Sequence, residues 1–195
     1  MTSINDLAPG VWTIDGSHTT VGFTARHLMI TKVRGRFGSV TGNVTISEDR
    51  LASSVEATID MSSIDTGDAG RDEHLRGTDF FDSETHPVMT FASTAVKARG
   101  DDFVLVGDLT IKGVTKSVEL QLEFDGVSGD PWGGTRAGFT AEGEINRKDW
   151  GLEWNVSLES GGVLVGEKIK IHLDVEVVAP VPADAADEVP ADASA

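Results

Sequence analysis

From Val118 to Phe124, and again from Ile169 to Val177, apolar and polar residues change places at every step. Val118, Leu120, Leu122 and Phe124 alternate with Glu119, Gln121 and Glu123, and Ile169, Ile171, Leu173, Val175 and Val177 alternate with Lys170, His172, Asp174 and Glu176. Successive side chains of a strand point to opposite faces, so a period of two sets one apolar row against a core and one polar row in water. Such a pattern fits antiparallel sheet with one wet face.

The same reading extends over most of the chain. Val11–Ile14, Thr20–Arg26, Lys32–Phe37, Val40–Ile46, Val55–Ile59, Met89–Val96 and Ala137–Ile145 read as further strands. Phe103–Ile111 is apolar on both faces and is expected to be covered on both sides. The 22 glycines suit tight turns and bulges, with Gly35, Gly38 and Gly42 placed where strands would bend. Eight to ten strands at this spacing predict an up-and-down barrel or a sandwich, and 195 residues suffice for one such domain. Small eight-stranded barrels either fill their interior or hold one ligand.

The alternation stops between Arg71 and Phe91, where His74, His86, several acids and the Phe80–Phe81 pair crowd together. Asp68 is placed to cap a short helix, Asp72 and Arg76 have the spacing of a favourable pair, and Gly77 suits a left-handed end. Pro87 stops anything helical before the next strand.

Composition removes several functions. With 32 acidic against 16 basic residues, the formal charge of −16 disfavours phosphate backbones and anionic headgroups, so no nucleic-acid partner is expected. No cysteine is present to form disulfides or thiolate metal sites. No apolar run is long enough for an integral membrane segment. The start, MTSINDLAPG, lacks the basic and apolar regions of a secretory signal, so a cytoplasmic location is expected. Ala179–Ala195 has three prolines, four acids and no base, and is predicted to be a flexible acidic tail after a domain spanning 1–178.

Catalytic and metal motifs are weak. His18, His27, His74 and His86 lie near Asp15, Asp72, Asp79 and Asp82 in sequence, which would allow a metal-dependent enzyme or metal-binding protein, but neither HxH nor HExxH spacing occurs. Ser17 and His18, as strand neighbours, would point to opposite faces and could not act on each other. Asp72 and Glu73 are explained by the preference of carboxylates for a helix start. Neither GxGxxG nor Walker spacing is present, and no cofactor is expected. The aromatic residues, which include no Tyr, read as core packing, the commoner case, or as the lining of an apolar tunnel, and periodicity does not separate the two.

Taken together, ordered blocks along nearly the whole chain resemble the YceI family of lipocalin-like proteins. They are Trp12-Thr13-Ile14-Asp15 with His18, Val21 and Phe23, His27-Leu28-Met29, Val33-Arg34-Gly35-Arg36-Phe37, Ile64-Asp65-Thr66 and Arg71-Asp72-Glu73-His74-Leu75. Asp79-Phe80-Phe81-Asp82, His86-Pro87, Gly107–Lys116 and Asn146-Arg147-Lys148-Asp149-Trp150-Gly151 follow. The resemblance implies an all-β fold: an extended antiparallel lipocalin-like barrel of about eight strands around an elongated apolar cavity, with a short helical insertion over 71–81. Members of that family are associated with polyisoprenoids or other long amphiphilic lipids, no catalysis is established for them, and many are periplasmic. Thr19 stands where Ser usually follows the His, and the acidic tail is an addition.

The expected function is therefore non-enzymatic binding or carriage of a polyisoprenoid or fatty-acyl amphiphile. The alternatives are the metal protein above and a structural or stress-related interaction module. Phe23, Leu75, Phe80, Phe81, Phe91, Phe103, Leu105, Phe139 and Trp150 are the expected cavity lining. His27, Arg71 and His74 are candidates for a head group, although Arg71 fits a structural ion pair with Asp72 or Asp79 better. Burying ten methylenes would contribute about 8 kcal/mol before ordering costs, enough for useful affinity without a specific polar contact. The sequence is compatible with a homodimer as well as with a lone barrel.

Overall fold

A computed structural model describes residues 3–100, 102–131, 133–159 and 161–180. The predicted tail lies outside the described residues except for Ala179 and Pro180, and the Ala179 N–H still donates to Thr135 O.

The chain forms strands β1 (Gly10–Ile14), β2 (Thr20–His27), β3 (Thr31–Phe37), β4 (Val40–Ile46), β5 (Ser54–Asp60) and β6 (Ile64–Asp65), then helix α1 (Ala69–Arg76). Strands β7 (Val88–Arg99), β8 (Asp102–Ile111), β9 (Val114–Gly129), β10 (Thr135–Asn146) and β11 (Val165–Val178) follow. All pairings are antiparallel, in the order β1-β4-β5-β7-β8-β9-β10-β11. The return pairing of Thr13 and Ile14 with Val178 and Val177 closes eight strands into a barrel. Further along the same edge of β11, Val165–Asp174 pairs with β2, and β3 and β6 extend that flank. Closure leaves the eight-stranded wall with few free edges to attract another chain.

Registers define two ends. The first holds the start of β1, the β4–β5 loop, and the β7–β8 and β9–β10 turns. The second holds the β2–β3 and β8–β9 hairpins, the long β5–β7 connection with α1, and the β10–β11 connection. The interruption at Arg71–Phe91 thus closes the second end. Asp68 caps α1 by accepting from Arg71 N at 2.9 Å, as its sequence position predicts. Gly77 departs from expectation: its φ of −72° is extended, and its N–H bonds back to the Glu73 and His74 carbonyls. Asp72 does not pair with Arg76. It is buried and accepts from the Thr66 N–H at 2.9 Å and hydroxyl at 2.5 Å, tying α1 to β6.

One bulge alters which residues face inward. Register slips between Ser93 and Ala95 on β7, so Phe91 and Val96 both reach the interior although a regular strand would separate them. The Ser93 hydroxyl accepts from Val55 N at 2.7 Å beside the slip. On β8, Val104 is buried and Val106 half-buried on the outer face. Their neighbours in register are Lys97, Gln121 and Glu119, whose long stems can cover an apolar strand.

Candidate functional site

The inward rows enclose a cavity of about 260 Å³ that runs the length of the barrel. Leu105, Leu109 and Ile111 of β8, Val118, Leu120 and Leu122 of β9, Phe139, Ala141 and Ile145 of β10, and Ile169, Ile171, Leu173 and Val175 of β11 line it. Lining on β11 reaches from Val165 to Val175. At about 3.3 Å per residue and a strand tilt of about 40°, that span is roughly 25 Å along the axis. No Asp, Glu, His or Lys lines it among the described residues.

Eight of the nine expected lining residues are there: Phe23, Leu75, Phe80, Phe81, Phe91, Phe103, Leu105 and Phe139. Trp150 is not. It is 2% exposed within the core, where its indole N–H donates to Leu109 O at 3.1 Å and fixes the turn Arg147–Trp150 against β8. Two of the lining phenylalanines lie over glycines. A Cβ at Gly35 would sit 2.4 Å from Phe23 Cζ, and one at Gly107 would sit 2.3 Å from Phe91 Cζ. Each ring therefore occupies space along the wall that a side chain would otherwise fill.

The three head-group candidates are all elsewhere. His27 ends β2 and does not line the lumen. Arg71 makes no ion pair with Asp72 or Asp79: its Nε donates to Thr66 Oγ1 at 2.7 Å and its Nη2 to Thr66 O at 2.9 Å, which fastens the insertion. His74 Nε2 lies 2.9 Å from Asp79 Oδ2, and its ring packs edge-on against Phe80 and Trp154. Local bonds thus engage Arg71 and His74 before any ligand could.

Two other arginines line the lumen, one at each end. Arg50, in the short turn Arg50–Ala52 between β4 and β5, donates to the Ser47, Asn5 and Leu7 carbonyls. Its Nε is buried and has no hydrogen-bond partner among the described residues. Arg147, at the second end and 3% exposed, donates to the carbonyls of Leu152, Gly166 and Val165. Burial pulls its guanidinium below the usual arginine range, with Glu167 opposing the shift from a distance. Neither has a carboxylate within salt-bridge reach among the described residues. The sequence flags Arg50 only as part of a polar turn and Arg147 only as part of a family block. Their bonds run to carbonyls that periodicity does not bring together.

The ionisable groups gather instead at the break between β1 and β2. Asp15 Oδ2, His18 Nδ1 and Glu176 Oε1 meet there, with His18 3.0 Å from Asp15 and 3.6 Å from Glu176. Arg136 bonds both carboxylates and also Asp130, at 3.1 Å. Hydrogen bonds from Ser17, His18 and Arg136 hold the Asp15 carboxyl well below the usual carboxylate range, and the carboxylates push Arg136 upward. Ser17 and His18 sit in a turn rather than a strand, so they do meet, with Oγ 3.1 Å from Nδ1. They form no catalytic relay, because the same ring nitrogen faces both Ser17 and Asp15. Asp15, His18 and Glu176 could offer a metal three ligand atoms within 4.8 Å of one another, but Arg136 already supplies the cation. His27, His74 and His86 are not part of that group.

A model of the YceI-like domain matches residues 12–177. Protein YceI of Escherichia coli is 44% identical over 140 residues, covering 71% of this chain and 73% of that protein. The chain belongs to the YceI family. UPF0312 protein plu2095 of Photorhabdus laumondii is 43% identical over 148 residues, 75% of this chain and 77% of its own. Among solved structures, the YceI protein of Campylobacter jejuni superposes with a TM-score of 0.69 at 26% identity, covering 80% of this chain and 90% of that one. A polyisoprenoid binding domain from Saccharophagus degradans shares the fold, with a TM-score of 0.67 at 18% identity over 89% of this chain and all of its own. The closed antiparallel barrel with one short helix is thus the YceI fold, and the cavity along its axis is the feature any function has to explain.

Proposed function

We propose that this YceI barrel binds and carries a long-chain amphiphile, of polyisoprenoid or fatty-acyl type, threaded along its lumen. The observation that carries the reading is the lumen itself: lined by aliphatic and phenyl side chains from every wall strand and free of described acids, histidines and lysines. Such a surface offers a hydrocarbon chain about 0.8 kcal/mol per buried methylene and offers a polar substrate nothing. A lining without a described acid, histidine or lysine supports a non-enzymatic reading. The Saccharophagus degradans domain supports the ligand class.

The head group is placed at Arg50. A buried N–H without an acceptor is costly, and an oxygen of the ligand would satisfy it. The first end is then the polar end of the ligand, and the chain runs toward Phe80, Phe81 and Leu152 at the second. Titration of delipidated protein with a fluorescent acyl probe, and its displacement by prenyl and acyl amphiphiles, tests the proposal. Saturable one-to-one binding is expected, and absence of binding by every chain tried would end it.

A further inference from the structure

The β2–β3 hairpin at the second end combines three features. Its tip is strained: Leu28 and Met29 have φ of 52° and 61°, in a left-handed region that bulky side chains rarely occupy. Its tip is also apolar and exposed, Met29 by 56% and Ile30 by 74%. Val156, 46% exposed, lies alongside, because Leu164 bonds both Leu28 and Val156 through the main chain. Finally, the hairpin is basic within an acidic protein. No Asp or Glu occurs between Asp15 and Glu48, while Arg26, Lys32, Arg34 and Arg36 all do. All four are exposed, and among the described residues only Arg36 has an acid partner, Asp65 at 3.4 Å.

We propose that this hairpin docks the barrel on an anionic lipid bilayer, with Met29 and Ile30 entering the headgroup region and Arg26, Lys32 and Arg34 resting on lipid phosphates. Exposed apolar side chains rimmed by unpaired cations suit that surface in both hydrophobicity and charge. A formal charge of −16 does not prevent it: at physiological ionic strength charges act over about 8 Å, so a membrane touching the hairpin responds mainly to the hairpin. The other end makes a contrast, since exposed Leu51 is preceded by Glu48 and Asp49. Docking would set the bilayer against the end where Ala25 and Val165 line the lumen, beside the His27–Val165 pairing. The inference stands on the hairpin's own geometry and does not require the lumen to hold lipid.

Absence of native cysteine makes the test clean. Ile30→Cys and, at the opposite end, Leu51→Cys each carry one environment-sensitive dye, read with phosphatidylcholine vesicles with or without phosphatidylglycerol. The proposal expects a blue shift for position 30 alone, with the anionic vesicles alone, and its loss in high salt. Arg26→Glu, Lys32→Glu and Arg34→Glu together should weaken co-sedimentation roughly a hundredfold, a factor of about five for each cation. Met29→Asn with Ile30→Asn should also weaken it, since Asn tolerates the left-handed tip. Circular dichroism melting confirms that the variants fold. No vesicle binding, equal shifts at both positions, or binding indifferent to the hairpin charges would overturn the proposal. So would a dye shift at position 30 that follows protein concentration without vesicles, because the occupant would then be a second copy of the chain.

Discussion

Arg136 and Arg50 are both half-buried at the same end of the barrel, yet their charges are met in different ways. Arg136 lies among Asp15, Asp130 and Glu176, so its Nε and Nη1 donate to full counter-charges. Arg50 is held by three main-chain carbonyls and has one donor unused among the described residues, at the mouth of an apolar lumen. The first arrangement is complete and pins the β1–β2 break to β10 and β11. The second is complete only with an oxygen acceptor added. A dense cluster of titratable side chains can thus be a finished structural joint, while the proposed ligand contact falls to a single arginine held by carbonyls.

The most drastic way to break this contrast is to put a carboxylate into the lumen. Leu120→Asp, at a lining position 4% exposed, should cost on the order of 4 kcal/mol in urea unfolding, through an unpaired buried charge, and should abolish acyl-probe binding. An unchanged unfolding midpoint would mean that the lumen is open to water. Gly107→Val is next. Its Cβ would collide with the Phe91 ring and come within 2.8 Å of Ala92 O, so about 2 kcal/mol of stability should be lost. The displaced ring would enter the lumen and weaken probe binding more than tenfold.

Arg50→Met separates head from chain. An acyl or prenyl probe with a carboxylate or phosphate head should lose about ten- to a hundredfold in affinity, while the matching uncharged hydrocarbon binds as before. Equal losses for both probes would remove Arg50 as the head-group residue. At the joint, Asp15 is ionised well below the usual carboxylate range, so its contribution to stability is present above its unfolded-state pKa and fades only as pH falls toward its depressed folded value. Asp15→Asn should therefore lower the melting temperature at neutral pH and make its acid dependence shallower, leaving probe affinity untouched. The smallest expected effect is that of a chelator: with Arg136 on the carboxylates, neither the melting temperature nor probe affinity should change.

Much of the fold was legible because period two is a local signal. The Val118–Phe124 and Ile169–Val177 rows do face the interior with Leu120, Leu122, Ile171 and Leu173 on the lumen, and the interruption at Arg71–Phe91 does close one end. Periodicity failed where geometry is not periodic. The slip on β7 changes which parity faces inward. The turn at Asp15–Thr19 brings Ser17 and His18 together where a strand would have parted them. Trp150 is buried in the core yet is absent from the lining of the lumen. The arginines of the lumen were out of reach for a different reason: Arg50 bonds to Asn5 and Leu7, more than 40 residues away, and no local pattern encodes that meeting. Residues that looked chemical in sequence, Arg71 and His74 above all, turned out to be engaged locally by Thr66 and Asp79.

The most direct measurement is native mass spectrometry of the protein purified without delipidation, paired with organic extraction and identification of what is released. The carrier account predicts one long-chain amphiphile per barrel, lost on extraction and regained on adding a prenyl or acyl lipid. A barrel that is lipid-free as isolated, and that takes up no such lipid afterwards, would contradict it.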